Sequence, residues 1–248
     1  MNNLLLEQAE TGSDAILSAT TSPDRNEAER KAFDFLTRVC PEGGPNNPGS
    51  RTRWHLGSSA LDGTFPGYTL SLAWTTAGVV TNAVIYVSTT GALTGTSVSS
   101  RAIPLNEALK RKGESDWDGE KRELAQEVTW SLPAGQRLHT VEKALTASGY
   151  HVVPARSEVL ALLDVADGRS AGYLGRVADP ATRLAASLLI SEEHGQVSDW
   201  SGGYPNLGDD SLVAGSHFTH YRRVARLLAA AHRAAAPATN PQEVSRHA

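Results

Sequence analysis

The chain has 248 residues, 40% hydrophobic and 20% charged, with a formal net charge of −4 at pH 7. That length can bury a good core in one large domain or two small ones, and the mild negative charge excludes an overall basic field of the kind that holds nucleic acid or anionic membranes wholesale. The single cysteine, Cys40, excludes an intrachain disulfide and any multi-cysteine metal site.

At the N-terminus, "MNNLLLEQAE" sets three leucines before acid, not a basic start before a long apolar core, so it does not read as a signal peptide. With no Asn-x-Ser/Thr acceptor in the chain, the expectation is a cytoplasmic protein, or one incorporated in a particle assembled inside the cell. "SPDRNEAERKAFDFLTRVC" reads as an amphipathic helix: Ser22 caps it, Pro23 opens it, and Ala32, Phe33, Leu36 and Val39 share one side. "PEGGPNNPGS", residues 41–50, cannot continue a helix or a ladder. The expected organisation is therefore a helical arm over 1–40, a linker over 41–50, an α+β body over 51–236 and a polar tail over 237–248.

"RTRWHL" reads as a short strand that leads into residues 63–100, where no Asp, Glu, Lys or Arg occurs. A membrane span is excluded because Thr, Ser, Gly and Asn interrupt every apolar run. A flexible linker is excluded by the β-branched and aromatic content. Tyr68, Leu70, Leu72 and Trp74 alternate with Thr69, Ser71, Ala73 and Thr75, as in a strand with two distinct faces. Val79 to Val87 is more continuously apolar, and Ala77-Gly78 supplies the turn of a hairpin. Uncharged strands need cover on both faces, from the chain's own helices or from another subunit, because interface cores are also depleted of charge. The sequence favours the second source, with Leu72, Trp74, Thr75, Thr81, Val84 and Tyr86 as the interface.

After Arg101, "LNEALKRKGESDWDGEKRELAQEVTW" reads as a solvated pair of charged helices. "PAGQRLHTVEKALTASGYHVV" is a helix with Leu138, Val141 and Leu145 in its core stripe, closed by Gly149 and followed by a strand from Tyr150 to Val153. "EVLALLDVADGRSAGYLGRV" offers two strands about Asp167-Gly168. Asp179 caps and Pro180 opens the helix "PATRLAASLLISEEHG", which Gly195 closes. "QVSDWSGGYPNLGDDSLVAGS" reads as a long Gly-rich loop, and Ser216 caps a final helix. The fold class expected is α+β, a mainly antiparallel sheet packed against helices.

The search for chemistry returns mostly exclusions: no phosphate-binding loop, dinucleotide fingerprint, nucleophile elbow or zincin helix is present. Imidazoles with nearby carboxylates suit zinc or iron, so His194, His217 and His220 are the candidate metal ligands. Cys40 reads as a structural thiol. Arg222, Arg223 and Arg226 on the final helix are placed to neutralise phosphates, making them the candidate nucleic-acid contacts. The leading expectation is a non-enzymatic assembly protein, such as a viral or phage coat or another shell or filament subunit, whose partners are copies of itself or other subunits and which needs no cofactor. The alternatives are a metal-dependent hydrolase built on the three histidines and a nucleic-acid-binding module built on the three arginines.

Overall fold

The computed structural model describes residues 2–44, 47, 49–61, 67–98, 103–104, 127–131 and 136–235. The alternating segments of the uncharged region form the centre of an antiparallel sheet. Its strands are β1 (Thr52–Ala60), β2 (Tyr68–Thr76), β3 (Val79–Val87), β4 (Ala92–Ser97) and β5 (Ile103–Pro104), in that spatial order. β2 and β3 turn about Ala77 and Gly78, with φ of 52° and 83°. Positive φ at both central residues is what a two-residue hairpin needs to match strand twist, and glycine takes it without steric cost. Trp74 pairs with Asn82 but Thr75 with Val80, so Thr81 is the extra residue of a bulge.

Both faces of β2, β3 and β4 are covered by the chain itself, which is why these strands carry no charge. Tyr68, Leu70, Leu72, Trp74, Val84, Tyr86 and Leu93 form one cluster with Ala15 and Ile16 of α1 (Asn2–Ala19) and Ala28, Ala32 and Leu36 of α2 (Arg25–Val39). Gly12 of α1 is required by this approach, since a Cβ there would meet the Trp74 ring at 2.5 Å. Across the helix–sheet seam, Asn82 Nδ2 donates to Gln8 Oε1 at 2.7 Å. The α2 cap is Asp24, whose side chain accepts from the Glu27 N–H at 2.9 Å, not the expected Ser22. The Ser22 carbonyl instead accepts from the Tyr68 hydroxyl.

The other face of the sheet meets a middle layer of two helices, α4 (Glu158–Ala166) and α5 (Pro180–Glu192). Ala73, Ala83, Ile85 and Val87 join Leu162 of α4 and Leu184, Ala185 and Leu188 of α5 in one cluster, which continues into Tyr173, Leu212 and Ala214 of a second sheet. Glu158–Ala166 reads as a strand by composition but is a helix capped by Ser157. A helix packed between two sheets is apolar nearly all round, so its sequence loses the polar face that would betray its period.

The second sheet has the order β7-β6-β8-β10-β9. Its strands are β6 (Glu127–Ser131), β7 (His151–Pro154), β8 (Gly172–Arg176), β9 (Gln196–Ser198) and β10 (Ser211–Gly215). β6 runs parallel to β7 and β8, while β10 is antiparallel to both β8 and β9. The expected Gly-rich loop thus contributes β9 and β10 at its ends. On the outer face lie α3 (Gln136–Ala147) and α6 (Phe218–Ala235), where Val141, Leu145, Val224 and Leu228 pack on Val128, Leu174 and Val213. The result is a layered α+β protein, helices–sheet–helices–sheet–helices. The charged segment around Lys110–Glu120 and the expected tail over 237–248 lie outside the described residues. Among the described residues no helix is long and apolar enough to cross a membrane.

Candidate functional site

The best-built polar cluster lies where β1 meets the N-terminus of α5. Asp179 has extended backbone and caps the helix, accepting from the Ala181 N–H at 3.3 Å and the Thr182 N–H at 2.9 Å. Thr182 Oγ1 lies 2.6 Å from Asp179 Oδ2 and 2.9 Å from Ser71 Oγ. A carboxylate only accepts, so the threonine gives its proton to Asp179 and the serine hydroxyl donates to Thr182. Gly57 of β1 makes the arrangement possible. A Cβ at that position would lie well under 3.0 Å from both Asp179 carboxylate oxygens, so the strand backbone and the carboxylate touch directly.

Alternation along β1 sends Arg53, His55, Gly57 and Ser59 toward α5, while Trp54 and Leu56 pack in the α1–α2 cluster and Ser58 bonds Glu29. His55 Nε2 is 3.1 Å from Thr75 Oγ1. Burial and then the neighbouring Arg53 push the imidazole pKa below its ordinary value, against a smaller upward pull from Asp179. The ring is thereby kept neutral near neutral pH, able to take up a proton.

One turn along α5, Arg183 is 1% exposed. Its Nε and Nη2 donate to the Asn206 carbonyl at 3.1 and 2.9 Å, Nη2 also reaches Leu207 O, and Nη1 bonds Val177 O. Burial lowers its pKa, opposed by Asp210, Asp179 and Asp209. This side chain ties the loop between β9 and β10 to the start of α5. The loop is braced further by Asp199, whose Oδ1 accepts from Ser201 N, Ser201 Oγ and Gly203 N, holding its carboxyl below the usual range although burial opposes this.

The residues singled out from sequence fall elsewhere. His194 is exposed beyond α5 with φ of 66°, His217 Nδ1 accepts from the Thr219 N–H at 3.2 Å, and buried His220 pairs through Nδ1 with the Tyr150 hydroxyl at 2.9 Å. The imidazoles of His217 and His220 are used locally, and among the described residues no three His, Cys, Asp or Glu side chains come together as a metal-holding group. Leu72, Trp74, Thr75, Val84 and Tyr86 are buried inside this chain, and half-buried Thr81 contacts Trp74 O. Arg222, Arg223 and Arg226 are brought together on the exposed side of α6. Half-buried Cys40 has its thiol pKa raised by burial and by Glu7, which keeps it protonated. The sequence reading passed over Gly57, His55 and Arg183 and took Asp179 for a cap alone. A glycine inside a strand was the available signal, since it marks close backbone approach.

No family model matches the sequence, and no curated protein matches it either. The structure, by contrast, has clear likenesses. The extragenic suppressor protein suhB from Bartonella henselae aligns with a TM-score of 0.70 at 20% identity, over 89% of this chain and 97% of that one. Inositol monophosphatase from Anabaena (Nostoc) aligns with a TM-score of 0.70 at 20% identity, over 93% and 97%. Inositol monophosphatase II from Staphylococcus aureus aligns with a TM-score of 0.63 at 16% identity, over 94% and 93%. These likenesses correct the expectation of a non-enzymatic coat, shell or filament subunit: the uncharged strands are the interior of a fold shared with inositol monophosphatases, covered by α1 and α2 on one side and α4 and α5 on the other. At these identities it is the fold that is shared, and that fold is the inositol monophosphatase fold.

Proposed function

We propose that this chain hydrolyses phosphate monoesters, with the seam between β1 and the N-terminus of α5 as its reaction centre. The observation that carries the reading is the likeness, over more than 90% of either chain, to an inositol monophosphatase and to one solved with inositol monophosphate bound. In such a reaction a water oxygen bonds to phosphorus, the bond from phosphorus to the alcohol oxygen breaks, and a proton leaves the water for a base and returns to the alcohol. His55, neutral and set beside Asp179, is suited to hold that proton. Arg53, two residues away on the same face of β1, is suited to the phosphoryl oxygens, since a guanidinium fork matches them. Asp179 and the Thr182 and Ser71 hydroxyls form the fixed wall of the site.

A divalent metal does not fit the described residues. The Asp179 oxygens already accept from Ala181 and Thr182, and among the described residues no three His, Cys, Asp or Glu side chains come together. The test is release of inorganic phosphate from a panel of polyol and sugar phosphate monoesters, with magnesium and with a chelator. Wild-type protein should release phosphate, and His55→Gln should lower the rate about 100-fold or more. Folded wild-type protein that releases none from any ester under either condition would refute the proposal.

A further inference from the structure

A second concentration of charge lies on the outer layer, on the far side of the second sheet from the middle-layer helices. Arg222, Arg223 and Arg226 are exposed, and residues three and four apart share one side of a helix. Between that side of α6 and the C-terminal end of α3 runs a groove of about 390 Å³, lined by the three arginines together with Phe218, Thr219 and Ser148. Among the described residues no carboxylate lines it and none of the three guanidinium groups has an ion pair. Two of them lie against aromatic rings instead. Arg222 sits 6.0 Å from the Phe218 ring centroid and Arg223 5.6 Å from that of Tyr150. The Tyr150 ring is itself fixed by its hydroxyl bond to His220.

We infer that this groove binds single-stranded nucleic acid, its arginines on successive phosphates and Phe218 against a base. The charge is local, since the chain as a whole carries −4. A solvated face normally balances cations with acids at neighbouring helical positions, whereas here every charged residue that lines the groove among the described residues is an arginine. Arginine is the side chain that both forks onto phosphate oxygens and stacks on flat groups. Phe218 is 53% exposed beside the arginines, and an aromatic face open to solvent stacks on a base only when that base is not already stacked in a duplex. The phosphatase proposal is not needed for this reading, because the groove belongs to α3 and α6 and shares no residue with the seam at α5.

The experiment is fluorescence anisotropy of a labelled single strand of about 16 nucleotides titrated with the full chain. Binding should weaken with salt at a log–log slope of about −2, as expected for three phosphates at roughly 0.7 each. The triple variant R222Q/R223Q/R226Q should bind at least tenfold more weakly with a slope near zero, and Arg226→Gln alone should flatten the slope by about 0.7. Phe218→Ala should weaken single-strand binding about fivefold or more. Thermal melting of each variant by circular dichroism checks that the fold persists, and the single changes carry the test if the triple variant melts early. Absence of binding at low salt, equal binding by the folded arginine variants, preference for duplex, or stronger capture of anionic vesicles than of the single strand would each overturn the inference.

Discussion

Arg183 and the arginines of α6 are the same residue type in two opposite settings. Arg183 is sealed in the middle layer, with its nitrogens bonded to the carbonyls of Val177, Asn206 and Leu207. The three on α6 stand in water and touch aromatic rings or nothing charged among the described residues. A buried guanidinium is tolerable only if its donors are satisfied in place, so Arg183 fixes the geometry around it. An exposed one keeps its hydration and its freedom, and so stays available to a ligand.

The largest expected effect comes from breaking the buried member. Arg183→Ala leaves three carbonyl groups without their donor and opens a cavity, and should cost about 3–5 kcal/mol, read from urea unfolding. Retention of full stability would mean that those carbonyls find water and that the loop is held by other means. Gly57→Ala comes next. Its methyl group must displace the Asp179 carboxylate or the strand, for about 1–3 kcal/mol of overpacking. Phosphate release should fall with it if the seam is the reaction centre.

His55 sharpens the comparison through pH. Its folded pKa lies below the ordinary value near 6.5, so the unfolded chain binds the proton more readily. The sign follows: the stabilisation from a neutral His55 is fully present above the unfolded value and is lost as pH falls through the folded one. Urea midpoints should therefore decline between neutral pH and about pH 5 more steeply in wild type than in His55→Gln. Identical slopes would show that the ring is not held neutral by its surroundings. The smallest effect belongs to the exposed member, where Arg226→Ala should change stability by no more than about 0.5 kcal/mol. A larger loss would place Arg226 in a structural contact and remove the ground for treating the groove as open.

Much of the secondary structure was legible because its signals are local. The alternation of Tyr68, Leu70, Leu72 and Trp74, the Ala77-Gly78 turn and the Asp179-Pro180 helix start each depend on a few neighbouring residues. Two of the misreadings share one cause. α4 reads as a strand by sequence, and the uncharged strands as a surface awaiting another subunit, because both are buried on two sides. An element covered on two sides loses the polar face that records its period and its neighbours. The seam between β1 and α5 was not legible for a different reason: Gly57 and Asp179 lie far apart in the chain, and neither is unusual alone.

By itself the sequence determined the α+β class, the hairpin of β2 and β3 and the capping of α5, since backbone preference and side-chain alternation act within a few residues. It also placed three arginines on one side of one helix, because helical spacing alone does that. Only the tertiary structure decided that two layers of helices enclose the uncharged sheet, that a strand glycine receives the carboxylate of a distant helix cap, and that Arg183 is buried while Arg222, Arg223 and Arg226 are not. The physical reason is that burial and contact depend on what packs against an element, and the partners that settle these cases come from distant parts of the chain.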